Sequence, residues 1–353
     1  MSSFPVRAGL FLFIFLAMLE GANRVYEARL SSSTTAPEFE SRRRTPYLEF
    51  QVESNYHSPD LSTNSDGLRY AEIPVRKAPG TVRVFVLGPS FVFDGDSNET
   101  TIPGWLEQMA RRAYPRAHIE VINAGSTAYN STQSALLYFL KLAKYNPDIV
   151  IFMGGKVDLY YAETSERRVG YPFNFATQED HEKAVRRILE MPWPALLLGR
   201  YSFLGRINPD LDRRALLQEF ASPAADLKPF RTLDEFAPYV NGVTDNCERM
   251  MLLNKALGIP GFFFLEPRSR YSELQGQAFD LLYRRLSVAA RGFPSQRVYD
   301  LKYLEGRLDF GGGSFHWVHD QNQILAQELF KILRPALEVR IHEAGTALEV
   351  SNP

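Results

Sequence analysis

Short, nearly continuous apolar runs alternate along the chain with longer stretches of helical period. Val82-Arg83-Val84-Phe85-Val86-Leu87 ends at Gly88, Ile119-Glu120-Val121-Ile122 enters Asn123-Ala124-Gly125, and Asp148-Ile149-Val150-Ile151-Phe152-Met153 is stopped by Gly154-Gly155. Runs this short and this apolar predict strands covered on both faces. Gly261-Phe262-Phe263-Phe264-Leu265-Glu266-Pro267 and Arg297-Val298-Tyr299-Asp300-Leu301 predict a fourth and a fifth. Trp105 to Tyr114, Ser134 to Tyr145, Ser272 to Arg291 and Asp320 to Leu333 carry apolar positions near helical spacing and predict the covering helices. Strand and helix in alternation imply an α/β fold, a three-layer α/β/α sandwich on a parallel sheet. Such a sheet places its site beyond the carboxyl ends of its strands.

The alternation lapses between about 160 and 258, which predicts a helical insertion. Within it, Met191-Pro192-Trp193-Pro194-Ala195-Leu196-Leu197-Leu198 reads either as a core helix of the insertion or as an acyl-facing wall over the site. At the N-terminus, Ala8 to Leu19 is a 12-residue apolar run after Arg7. That is signal-peptide length, short of the roughly 20 residues a span needs. It predicts an exported protein, with residues 1–28 either a cleaved signal peptide or a retained membrane anchor. Residues 29–66, rich in Ser, Thr, Pro and charge, predict a linker, 67–338 the domain proper, and 339–353 a C-terminal tail.

Composition narrows the chemistry. The 353 residues carry 40 Lys+Arg against 41 Asp+Glu, so the net charge of −1 supplies no global basic field and argues against a nucleic-acid partner. Cys247 is the only cysteine, which excludes an intramolecular disulfide, a Cys-based metal site and a CxxC redox pair. Neither a Walker loop nor GxGxxG is present. Asn98-Glu99-Thr100 and Asn130-Ser131-Thr132 match the N-glycosylation pattern.

Three segments fall where a parallel sheet puts chemistry, Gly88-Pro89-Ser90, Asn123-Ala124-Gly125 and Gly155-Lys156-Val157-Asp158, and a fourth, His316-Trp317-Val318-His319, lies just before the last helix. A serine on a tight turn at a strand end, with a histidine delivered late in the chain, suits nucleophilic acyl transfer. Serine is equally an ordinary turn and N-cap residue. The nucleophile elbow of α/β-hydrolases is absent, since Val92 stands where its second glycine would be. His316 and His319 lack a third partner at clear spacing, so no metal site is expected.

In order and context these segments resemble the SGNH/GDSL hydrolase superfamily, esterases and acylhydrolases on a flavodoxin-like sandwich, over residues 66 to 338. Asp66-Gly67-Leu68-Arg69 and Lys77 to Arg83 resemble the lead-in of exported bacterial members; Val84 to Ser90 resembles the first block, and Val121 to Gly125 the second. The resemblance implies Ser90 as nucleophile, His319 as base, and the N–H groups of Ser90 and Gly125 as oxyanion donors. It also implies an ester or O-acyl substrate, a small molecule or an envelope glycan, and no cofactor. Gly95-Asp96-Ser97 spells the family's GDS literally but follows no strand, and reads as loop. Two positions depart from the pattern. Val157 stands at the oxyanion asparagine, and His316 at the aspartate that orients the histidine. Lys156 is a candidate substitute near the oxyanion, and Asp320, Asp309 or a backbone carbonyl is a candidate to orient His319. If nothing compensates, the alternative is a catalytically silent SGNH-like binding or accessory module.

Overall fold

The computed structural model describes residues 42–164, 167–172, 228–268, 272–310 and 319–351, together with Phe15, Met18 and Gly21. The chain divides into two compact units, 1–40 with 174–226 and 41–173 with 227–353. The second unit carries the architecture below.

Its sheet has five strands: β3 (Thr81–Gly88), β4 (His118–Gly125), β5 (Ile149–Met153), β6 (Gly261–Leu265) and β7 (Gln296–Asp300). Neighbours run β4-β3-β5-β6-β7, and every pair is parallel. Counted within the sheet this is the flavodoxin-like order 2-1-3-4-5, a doubly wound α/β/α sandwich. Each strand alternates its side chains between two cores. Phe85, Leu87, Phe152, Phe263 and Leu265 join the helices α3 (Ser131–Leu137), α5 (Leu233–Leu257) and α6 (Glu273–Ala290). Val84, Val86, Ile151, Met153 and Phe264 join α2 (Ile102–Ala113) and α7 (Asn322–Ser351) on the other face. Between these elements lie α1 (Ser90–Phe93) and α4 (Lys156–Thr164).

Local chemistry sets the helix starts. Thr101 Oγ1 accepts the Gly104 N–H at 3.1 Å to open α2, with Pro103 in its first turn. Asn130 and Gln133 form a reciprocal capping box on α3, as Ser272 and Gln275 do on α6. The helix expected over 134–145 instead begins at Ser131 and loosens into a π turn over Tyr138–Leu142, then a 3₁₀ turn over Ala143–Tyr145. Tyr138 is fixed there by its hydroxyl, which donates to Asn254 Oδ1 at 2.7 Å.

Three expected boundaries need correction. Much of the expected linker is packed structure: β1 (Arg42–Thr45) and β2 (Glu49–Val52) form a hairpin, and Leu48, Phe50, Val52 and Leu61 are buried. Its polar composition hid these few apolar anchors, one of which is gripped through its carbonyl by the Tyr129 hydroxyl at 2.7 Å. The expected tail, 339–353, is helical through Ser351 as the continuation of α7. The insertion is also narrower than expected at both ends, because α4 at its start and the long α5 at its end pack into the main core. The apolar stretch at 191–204 and most of residues 1–28 lie outside the described residues. Among the described residues no helix is long and apolar enough to cross a membrane.

Charge is buried under the sheet's amino edge. Arg83 is fully enclosed, and its Nε donates to Glu120 Oε2 at 2.6 Å while Nη1 donates to the carbonyls of Pro74 and Tyr145. Removing one partner of such a pair leaves the other charge uncompensated. Glu120→Ala is therefore expected to cost about 3–5 kcal/mol in urea unfolding. Arg43→Ala, which breaks the exposed Arg43–Glu53 pair, is expected to cost no more than about 1 kcal/mol.

Asp158 ties α4 to α3 by accepting the Ser131 N–H at 3.0 Å and the Ser131 hydroxyl at 2.6 Å. The residue keeps some surface, but its carboxylate is enclosed, and that desolvation pushes its pKa up from 3.8 to about 6. The native state thus holds a proton between pH 4 and 6 that the unfolded chain has released. This group's contribution is most favourable below pH 4, falls as pH rises to 6, and is level above. Asp158→Asn should raise Tm at pH 8 and leave it unchanged near pH 4, a difference that calorimetry at the two pH values checks.

Candidate active site

Ser90 sits where the topology directs chemistry, two residues past the carboxyl end of β3. Pro89 is extended, α1 then turns across the strand ends, and Ser90 is 7% exposed. The crossing is close. A Cβ on Gly88 would lie 2.5 Å from the Met153 carbonyl oxygen and 2.6 Å from Val92 Cγ2, and one on Gly125 would lie 2.9 Å from the Phe93 nitrogen. Both strands must end in glycine for α1 to lie there.

The second block serves this packing. Asn123 Nδ2 donates to the Val92 carbonyl at 2.9 Å, and Asn123 Oδ1 accepts the Gly125 N–H at 3.0 Å. The Gly125 N–H expected to face an oxyanion is therefore occupied by its neighbour's side chain. The next turn holds a group that the sequence did not announce. Ala128 is buried at φ 65°, and its N–H has no hydrogen-bond partner among the described residues. Ser126 Oγ, also buried, is likewise unpartnered. An alanine carries no sequence signal for a left-handed conformation; a glycine there would have given one.

Beyond β5, Gly155 turns the chain into α4 at φ 118°. Lys156 is buried at the head of that helix, and Val157 beside it offers no donor. The Lys156 N–H donates to Glu266 Oε1 at 2.7 Å, and its Nζ lies 6.0 Å from the Phe310 ring centre. Glu266, the residue after β6, is fully buried, and its Oε2 has no hydrogen-bond partner. Burial pulls the lysine down and pushes the glutamate up, so each is driven toward its neutral form while their mutual attraction opposes this. Glu266 was legible only as a lone charge closing the apolar run Gly261–Leu265.

His319 opens the 3₁₀ turn His319–Gln321; its side chain, like all of His316, lies outside the described residues. The backbone that carries it is nevertheless tied to the serine. Asn322 Nδ2, at the head of α7, donates to the Asp94 carbonyl at 3.0 Å and the Thr100 carbonyl at 3.1 Å. Asp94 itself caps α1 by donating its N–H to the Ser90 carbonyl at 2.6 Å. Three residues after His319, the chain is thus bonded to the element that begins with Ser90. Asp309 and Asp320, the candidates to orient His319, are both exposed.

Arg69 fastens the lead-in segment to the same place. Its guanidinium donates to the carbonyls of Phe93, Asp60 and Gly95 and to Asn98 Oδ1, and burial pulls its pKa down to about 10. Gly95-Asp96-Ser97 is loop, as expected. Both glycosylation-pattern asparagines are engaged: Asn98 Nδ2 donates to Ser62, and Asn130 Nδ2 donates to the Tyr171 carbonyl at 2.7 Å. Among the described residues, no cluster of three or more His, Cys, Asp or Glu side chains is placed to hold a metal ion.

With its parallel strand order and with Ser90 and Lys156 just beyond the carboxyl ends of β3 and β5, the chain has a flavodoxin-like α/β/α sandwich fold. No family model matches the sequence, and no curated protein matches it. Among solved structures, the chain is similar to an acetyl xylan esterase at 10% identity and a TM-score of 0.44, over 71% of this chain and 100% of that one. It is similar to an acetylxylan esterase from Geobacillus stearothermophilus at 12% identity and a TM-score of 0.42, over 71% of this chain and 93% of the other. A protein of the G-D-S-L lipolytic family from Desulfitobacterium hafniense aligns at 12% identity and a TM-score of 0.40, over 71% of this chain and 99% of its own.

Proposed function

We propose that the chain is a serine esterase or acyl transferase in which Ser90 is the nucleophile and His319 the base. The observation that carries this reading is the Asn322–Asp94 tie, which brings the backbone bearing His319 to the helix that begins with Ser90. His319 takes the Ser90 hydroxyl proton as Oγ adds to the ester carbonyl, then delivers it to the departing alcohol. The oxyanion is received by the Ser90 N–H and by the Ala128 N–H, which takes the part first assigned to Gly125. Ala128 is a buried residue whose N–H meets no protein acceptor among the described residues, and a ligand oxygen at that point would supply one. Neither a metal nor an organic cofactor enters this scheme.

The substrate is an ester or O-acyl group on a small molecule or an envelope glycan, the latter following from the export reading of residues 1–28. The chain would then act outside the cytoplasm, free or held at the membrane by that segment. A second reading has one observation in its favour. Val157 offers no side-chain donor, and an esterase site that lost such a donor would forfeit about 10²–10³ in rate, leaving a silent binding module.

Hydrolysis of p-nitrophenyl acetate and butyrate by the protein, with fluorophosphonate labelling, separates the two. The expected outcome is turnover and labelling of Ser90 in the wild type, with Ser90→Ala and His319→Ala each reduced at least about 10³-fold. A wild type that neither turns over nor labels would leave the binding module.

A further inference from the structure

We propose that the Lys156 ammonium supplies the oxyanion-side donor that Val157 cannot, and that Glu266 is the positioning residue that holds Lys156 at the carboxyl edge of the sheet. This inference rests on the esterase reading and deepens it.

The placement is specific. β5 is the central strand, flanked by β3, which delivers Ser90, and by β6, which ends one residue before Glu266. Lys156 therefore heads its helix between the nucleophile's strand and the carboxylate. Glu266 grips it by the main chain, at 2.7 Å from the Lys156 nitrogen. The ammonium extends instead over Phe310, the last described residue before the segment that delivers His319.

Cost supplies the second argument. Two opposite charges almost wholly removed from water are a poor way to stabilise a core, since apolar residues of similar volume do as well or better. Glu266 Oε2 pairs with no donor, so this arrangement has not been completed as a structural network. A desolvated ammonium is, however, strongly favoured once a negative oxygen forms beside it, because in low dielectric the gain appears only as charge develops. The electron accounting is simple. As Ser90 Oγ adds, the carbonyl π pair moves onto oxygen and accepts a hydrogen bond from Nζ, which keeps its proton. The pair returns when the alcohol leaves with the proton carried by His319.

The test compares the wild type with Lys156→Met/Glu266→Gln, which removes both charges together and leaves neither stranded, on p-nitrophenyl acetate. The double variant should melt no lower than the wild type, keep KM within about threefold, and lose about 10²–10³ in kcat. Glu266→Gln alone probes positioning. Among the described residues, Glu266 is the charge acting on Lys156, and Asp158 acts in turn on Glu266. Neutralising Glu266 removes an anion that favours the ammonium, so the alkaline limb of kcat should move to lower pH, with no such shift in Asp158→Asn. A folded double variant with kcat within threefold of the wild type would overturn the role of Lys156, and an unmoved limb would overturn that of Glu266. Should the double variant melt below the wild type, Lys156→Gln, which keeps a donor, decides: kcat within about tenfold of the wild type supports the donor role, and a loss as large as that of Lys156→Met overturns it. A wild type without turnover or Ser90 labelling removes the esterase reading and this inference with it, whereas an active wild type whose variants stay active removes this inference alone.

Discussion

Everything at the carboxyl edge depends on one close approach. The four residues of α1 lie across the ends of β3 and β4 with no room for a Cβ on Gly88 or Gly125, so the serine at the head of α1 is set by the contact of Val92 and the Phe93 nitrogen with two bare strand ends. Contacts this close leave no space to repack without moving the strand ends themselves. The cost is local: two strand ends carry no side chains, and α1 is too short to hold its own shape.

Side-chain amides and one guanidinium make up that deficit. Asn123 holds the Val92 carbonyl from below, Asn322 holds the Asp94 carbonyl from the last helix, and Arg69 holds the Phe93 and Gly95 carbonyls from the lead-in. Segments more than 200 residues apart in sequence thus converge on one turn of chain. Each is buried, so each bond also discharges a desolvation debt that would otherwise fall on an unpaired carbonyl. Among the described residues, three of the buried groups without partners, Ser126 Oγ, the Ala128 N–H and Glu266 Oε2, belong to segments that leave the carboxyl ends of β4 and β6, while others, such as Arg83 Nη2 and Trp105 Nε1, lie elsewhere.

The five strands and the main helices were legible because buried parallel strands write themselves as apolar runs, and their predicted ends fall within a few residues of the observed ones. The place of Ser90 just beyond β3 was legible because the apolar run that stops at Gly88 marks where the strand ends. The hairpin around Phe50 was not, since its few apolar anchors are diluted among Ser, Thr, Pro and charge. The left-handed angle of Ala128 gave no signal, because an alanine announces no such conformation. Gly125 was expected as an oxyanion donor from the family resemblance, while here its N–H is held by Asn123 Oδ1 and its lack of a side chain lets α1 pack against the strand end. Glu266 was invisible because nothing in one sequence says which charged residue a sheet will enclose.

The engaged asparagines carry a consequence for how the protein must be made. Both amide protons of Asn98 are donated to Ser62, and its oxygen accepts from Arg69, so this side chain is an internal strut. A sugar attached there during synthesis would take away one of those protons and prop the lead-in off the serine turn. Glycan occupancy at Asn98 would therefore cost the native arrangement one of the two bonds by which this side chain holds Ser62.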